Sequence, residues 1–403
     1  MDAQADRTDD LGAALDFSSE AFATHPWPIY AAFREREPVH RSSRDRCVYL
    51  FRHADVRATL QSSSFTVAHP FRGTRQLFGP TVIDLDGPDH RRLRGPLVGP
   101  LRASAVAGYI ARFVEPAVAQ LLEGLAGQER VDLITELAER LPARVGVAVL
   151  GMSPAHADDV YAAIRPIVRY LDDPVGHLEE AYQARELLER EIRGLIGRPP
   201  AGTARPSLLE AIAAAHLDGE PLADDAVVLN GVVLAVAVME TTTRALGNAL
   251  ACILPHPERV TALRADPSLI PAAVGESLRL QPPLHFIFRH AATDAVVAGV
   301  EIAKDTAVQL CLASANYDET VFEAPDRWRI DRERGAPLSF GWGAHGCLGA
   351  LLARREIECA LRALLARYSA IEVLEDPCIH GRYFRSPPRL LVHLRPDGAS
   401  GRS

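Results

Sequence analysis

The chain lacks an excess of basic charge. Its 44 Lys and Arg stand against 52 Asp and Glu, a formal net charge of −8. A nucleic-acid binder normally carries the opposite sign, so that class is set aside. Paired cysteines are also missing. Cys47, Cys252, Cys311, Cys347, Cys359 and Cys378 show no CxxC spacing, which argues against a disulfide framework. The opening "MDAQADRTDD" is acidic and polar rather than a leader pattern. Reduced thiols and no leader point to the cytoplasm. The longest apolar run, Ala226–Met239, is interrupted by Asn230 and reads as too short for a membrane span. No internal repeat and no long linker divides the sequence. The expectation is a single domain over residues 1–403, with residues 1–10 and 396–403 disordered.

What is present is helical signal. Ser104–Glu123, Val131–Leu150 and Ala155–Tyr170 have helix-like apolar spacing. Each holds one proline (Pro116, Pro142, Pro166), which predicts a kink or a split. His177–Ile196 is a cleaner helix. Ala223–Leu254 is the longest, opening on Asp224 and Asp225 and stopping before Pro255. The polar, Pro- and Gly-rich Gly197–Ser207 reads as a mobile surface loop. Short strand signals fall at Cys47–Phe51, Val296–Ile302 and Ala307–Leu312. The fold class is mainly α with small β-sheets.

The stretch "FGWGAHGCLGA", Phe340–Ala350, sets one cysteine among four glycines just before a helical pattern. Leu361, Leu364, Leu365 and Tyr368 share a face of that helix. Cys347 therefore lies at a helix start, where unpaired N–H groups and the dipole favour a thiolate. Gly341, Gly343, Gly346 and Gly349 clear bulk from around the sulfur and let a flat ligand approach the backbone. A buried cysteine in a tight turn is the plain alternative. A zinc site would need more ligands than His345 and Cys347 provide.

"FGWGAHGCLG" resembles the heme-binding signature of the cytochrome P450 superfamily, through Phe340, Gly341, Gly343, His345, Cys347 and Gly349. Other segments are similar to the family's in the same order, over nearly the whole chain. The resemblance implies the cytochrome P450 fold, with heme b (iron protoporphyrin IX) between a long distal helix and a proximal cysteine loop. It makes Cys347 the axial ligand. It makes Phe340, Gly349, His90 and Arg94 of "DGPDHRRLR", Arg289 and His345 cofactor-binding residues, the histidines and arginines meeting the propionates. "ESLR" and "PDRW" imply a structural triad of Glu276, Arg279 and Arg327. "AVMETTT" makes Glu240 and Thr241 the catalytic acid–alcohol pair. Val238 departs from the family, which usually has a small residue there; a β-branched side chain would crowd the oxygen side. Candidate pocket residues are Val82, Val233, Ala237, Val238, Leu284, Phe286, Ile287 and Phe384, an apolar set.

The implied activity is a monooxygenase that hydroxylates or epoxidises a small, largely apolar molecule in secondary metabolism. Electrons would come ultimately from NAD(P)H through ferredoxin reductase and ferredoxin. The expected protein is a monomer that uses a small-molecule substrate, with no nucleic-acid or membrane partner. Two rivals stand beside it. One is a heme-thiolate enzyme with another reaction (peroxygenation, oxidative coupling or group transfer). The other is a non-catalytic heme binder.

Overall fold

A computed structural model describes every residue except 1–10, 13–15, 18, 129, 197–206, 218–219, 333–334 and 397–403. The expected disordered ends and the Gly197–Ser207 loop thus fall almost wholly outside the described residues. Two boundary residues are inside. Pro396 closes a strand, and Ser207 caps the helix Leu208–Ala213 in a reciprocal box with Glu210. The contacts between residues divide the chain into two units.

The first unit takes the described parts of residues 1–67, 275–347 and 378–388. Its sheet holds β1 (Val39–Ser42), β2 (Cys47–Leu50), β3 (Phe65–Thr66), β5 (Phe286–Ala291) and β6 (Ala307–Cys311), in the order β1-β2-β6-β5-β3. β2 and β6 run parallel, with Val48 opposite Val308; the other pairs are antiparallel. Alternation along the strands builds a core on each face. Val48, Leu50, Val308 and Leu310 pack with Leu60, Phe65 and Leu338. Cys47, Tyr49, Phe286 and Cys311 pack with Phe22, Tyr30 and Phe33. The Val296–Ile302 signal is a hairpin, turning at Ala298 and Gly299 with positive φ at both.

The second unit takes the described parts of residues 68–274, 348–377 and 389–403. Its helices include α1 (Gly87–Leu101), α2 (Arg140–Leu150), α3 (Ala157–Asp172), α4 (Leu178–Arg193), α5 (Asp224–Ile253), α6 (Ile270–Leu280), whose last turns belong to the first unit, and α7 (Ala350–Arg367). α2, α3, α4 and α7 pack against α5, most of whose residues are buried. Gly146 of α2 allows one such approach. A Cβ there would sit 2.6 Å from the Met239 side chain of α5. A small sheet joins β4 (Val131–Asp132), β7 (Tyr368–Val373) and β8 (Leu391–Pro396).

The prolines act differently from one another. Pro116 and Pro142 each follow a π turn, at Ile110–Val114 and Ile134–Ala138. A proline cannot donate to the carbonyl four residues back, and a wider turn absorbs the gap. Pro166 lies inside an unbroken α3. The apolar run judged too short for a membrane grows into the 30-residue α5. By length and composition alone, α5 and the stretch 103–124 are apolar enough to cross a bilayer. For α5, 67% of the most apolar window is buried within the protein.

Candidate functional site

The cysteine loop is held from three sides. Gly341 N–H donates to Leu338 O (2.8 Å), Gly346 N–H to Gly343 O (3.0 Å), and Cys347 N–H to Phe340 O (2.8 Å). Gly341 and Gly343 have φ of 65° and 72°, where glycine is at ease. A Cβ on Gly343 would also come within 2.7 Å of Leu60 O. Gly346 and Gly349 have negative φ, and Gly349 caps α7, which begins three residues after Cys347. Arg57 covers Trp342 at 4.4 Å from the ring centre. The result is an exposed Cys347 with half-buried Phe340 and His345 beside it in sequence. Among the other thiols Cys378 is also exposed, whereas Cys47 and Cys311 are buried. Burial pushes Cys47 and Cys311 up to about 12 and Cys359 up to about 11. Among the described residues no three His, Cys, Asp or Glu side chains gather as metal ligands.

The structural triad forms with a different third member. Arg279, 1% exposed, donates from Nε and Nη2 to the two Glu276 oxygens, each at 2.8 Å. Arg332 completes it, its Nε 2.8 Å from Glu276 Oε1. Arg327 does not. Its side chain is 76% exposed, and it contributes only its carbonyl, to Arg279 and Arg332. Arg332 also caps the carbonyls of Glu323 and Ala324. The loop presents its backbone inward at 327 and brings a guanidinium back only five residues later. Asn316 carries the network onward. Its carbonyl accepts from Arg279 (2.7 Å), and its side chain bonds Leu338 N–H (2.7 Å) and Ser339 Oγ (2.9 Å), where the cysteine loop begins.

Strand parity sorts the first unit's other candidates. Ile287 and Arg289 share one face of β5, and Phe286 faces the opposite side. Phe286 is fully buried among Phe22, Tyr30 and Tyr49. It packs in this aromatic core and lines no open space, contrary to its expected place in the pocket. Ile287 is half-buried, as are Leu284 and Phe384, which face each other across a β-bridge. Arg289 is 6% exposed and donates to Phe288 O at 2.8 Å.

In the second unit, Asp86 precedes α1 and Pro88 lies in its first turn. One turn apart on α1 are buried His90 and half-buried Arg94. Val82 is buried, and its N–H donates to Asn230 Oδ1 of α5 (2.9 Å). Nearby, Asp84 is fixed by Arg72 (2.9 Å), Thr74 (2.5 Å) and Thr81 (3.0 Å).

Helix α5 is covered along most of its length, yet one stripe stays open. Ala237 is exposed, and Val238, Thr241 and Arg244 are partly so. These positions share a face by helical spacing. Val233, one turn earlier, is covered. Thr241 Oγ1 donates to Ala237 O at 2.8 Å, the back-bond open to any helical threonine. Glu240 is 4% exposed. Its Oε1 accepts from Arg244 Nε at 2.5 Å, and its Oε2 from the Tyr161 hydroxyl at 3.5 Å. Arg244 was legible as the i+4 partner in "ETTTR"; Tyr161 had no sequence signal.

A heme would suit what each unit offers. The first supplies an accessible thiol on a loop cleared by left-handed glycines, with Arg289 and His345. The second supplies a partly open, apolar-to-hydroxyl helix face, with His90 and Arg94 one turn apart. The comparisons agree. The cytochrome P450 family profile matches residues 203–379. Cytochrome P450 107B1 of Saccharopolyspora erythraea is 33% identical over 384 residues, covering 89% of this chain and 91% of that one. P450BioI, solved in complex with acyl carrier protein bearing hexadec-9Z-enoic acid, is 25% identical. Its TM-score is 0.86, over 93% of this chain and 99% of that one. A mutant of P450 EryK in complex with erythromycin B is 28% identical, with a TM-score of 0.83 over 94% and 98%.

Proposed function

The chain belongs to the cytochrome P450 family and is an oxidoreductase of that family, and from this premise we propose a heme monooxygenase that hydroxylates or epoxidises a largely apolar organic molecule of secondary metabolism. The open stripe Ala237–Val238–Thr241 in the middle of a mostly buried helix carries the reading. A helix core of this kind leaves apolar side chains accessible where a ligand covers them. Bound heme supplies dioxygen activation and the oxidation of a C–H or C=C bond. Cys347 would hold the iron, and His90, Arg94, Arg289 and His345 the carboxylates, where charge-assisted hydrogen bonds are strong. Val82, Val238, Leu284, Ile287 and Phe384 would orient the substrate and exclude water. Thr241 would donate at the oxygen side and Glu240 would resupply its proton. Arg91, Arg92, Arg102, Arg354 and Arg355 are exposed; they suit a ferredoxin, which a ferredoxin reductase would recharge from NAD(P)H in the cytoplasm.

The test begins with the reduced, carbon-monoxide-bound protein. It should show the red-shifted Soret band of thiolate ligation, and Cys347→Ser should lose the band or the heme. Retention of both band and activity would sink the assignment. Val238 favours a second reading, since a β-branched residue on the open stripe narrows the oxygen side. Product formed with peroxide alone, and none with a ferredoxin pair and NAD(P)H, would select that peroxide-driven alternative.

A further inference from the structure

Glu240 is the inner end of a row of polar side chains that crosses three helices of the second unit. Its carboxylate is gripped by Arg244 at 2.5 Å and faces the Tyr161 hydroxyl of α3 at 3.5 Å. Tyr161 is 8% exposed. The Arg165 guanidinium lies 5.3 Å from its ring centre and pairs with Glu139 at 2.7 Å. Glu139 directly precedes α2. Exposure rises along the row: 5% for the Glu240 side chain, 26% for Glu139 and 56% for Arg165.

The electrostatics follow the same line. Burial holds the Glu139 carboxyl above the usual range, opposed by Arg165 and reinforced by the negative charges of Glu240 and Asp132. Glu139 thus holds a proton more readily than a free carboxylate does. Burial, and next the Glu240 charge, also hold the Tyr161 phenol well above its ordinary value; Thr243 and Arg165 pull the other way. A phenolate is therefore disfavoured, so Tyr161 can give a proton only while receiving one.

We infer that Tyr161 conducts protons from the solvent-facing Glu139 to the buried Glu240, with Arg244 a positioning residue that turns the Glu240 carboxylate toward the phenol. The O–H bond of Tyr161 breaks as an O–H bond forms at Glu240 Oε2. The phenol oxygen takes a proton from Glu139, through water, in the same event. No charge accumulates on Tyr161, and nothing is oxidised or reduced. At 3.5 Å the phenol–carboxylate contact is long for a hydrogen bond. Such contacts commonly tighten only in the working complex. The inference rests on the reading of Glu240 as the proton source for Thr241.

Tyr161→Phe removes only the hydroxyl, keeping the buried ring under Arg165. The full-length, heme-loaded ferric protein is taken through an acid pH jump without substrate. Time-resolved infrared follows the protonated carboxyl band of Glu240, identified as the band absent in Glu240→Gln. Tyr161→Phe should slow its appearance about a hundredfold, the lower end of what a positioned proton donor contributes. Glu139→Gln should slow it as well. A purely structural role would leave the rate unaltered. Turnover separates this inference from the reading beneath it. Glu240→Gln should lower product formed per dioxygen; if it does not, both fall. If it does, while Tyr161→Phe and Glu139→Gln leave the infrared rate and the coupling unchanged, the inlet alone is wrong.

Discussion

Arg332→Ala and Arg327→Ala should differ sharply, although both arginines lie in one loop. The Arg332 side chain is 11% exposed and meets Glu276, itself 5% exposed, at 2.8 Å. Removing it leaves a buried carboxylate with one cation instead of two, and takes one donor each from the carbonyls of Glu323, Ala324 and Arg327. Breaking a buried ion pair from one side costs about 3–5 kcal/mol. Glu276 keeps its bidentate bond to Arg279, so the lower figure, about 3 kcal/mol, applies. Arg327 is 76% exposed, with Asp326 its one ion-pair partner among the described residues, at 3.9 Å. Its loss should stay within about 0.5 kcal/mol. With an unfolding entropy of about 2.1 cal/mol/K per residue over 403 residues, 1 kcal/mol is about 1.2 °C, so Arg332→Ala should lower the melting midpoint of the heme-loaded protein by about 3–4 °C. Arg327→Ala should barely move it. The damage should spread through Asn316 to Leu338 and the cysteine loop, so heme transfer to apomyoglobin should also quicken in Arg332→Ala. Equal losses from the two substitutions would refute the reasoning.

Phe286→Ala should cost about 3–5 kcal/mol of stability by opening a cavity in the aromatic core; Ile287→Ala should instead alter ligand-binding spectra, and the reverse pattern would restore Phe286 to the pocket. Glu356 of α7 is fully buried, and burial raises its carboxyl to about 8. Its folded-state value exceeds the unfolded one near 4.3, so the stability it permits is complete below about pH 4 and falls as pH climbs toward 8. Glu356→Gln should flatten that decline in denaturant titrations; an unchanged pH profile would count against it. Val238→Gly should cost only a few tenths of a kcal/mol in helix propensity, about 1 kcal/mol for glycine against alanine less what valine already loses, and change which carbon is oxidised, read from product distribution. Identical products would make Val238 packing variation.

Most of the long helices, three strand segments and the cysteine loop were readable because period and glycine placement are local properties, whereas the strands Phe286–Ala291, Tyr368–Val373 and Leu391–Pro396 carried no such signal. Gly341 and Gly343 justify themselves by positive φ, whereas Gly346 and Gly349 do not need it. The misses are long-range. Three arginines, Arg327, Arg329 and Arg332, compete for one carboxylate, and the path of the loop decides among them. Phe286 and Ile287 differ by one residue, and only the register of β5 against β6 says which face each takes. Thr241 and Glu240 are neighbours in sequence, but one hydroxyl is bonded to its own helix and one carboxylate is drawn to Arg244 and Tyr161.

Met239, one of three methionines in the chain, has no exposed surface and presses against Gly146. It immediately precedes Glu240 on α5. Conversion to the sulfoxide would add a polar atom where a single extra carbon on Gly146 already meets the side chain at 2.6 Å. The contact that seats α2 on α5 is thus also a wear point. Oxidation there would loosen α2 from the helix that carries Glu240, so the packing and the setting of the buried carboxylate would be lost together.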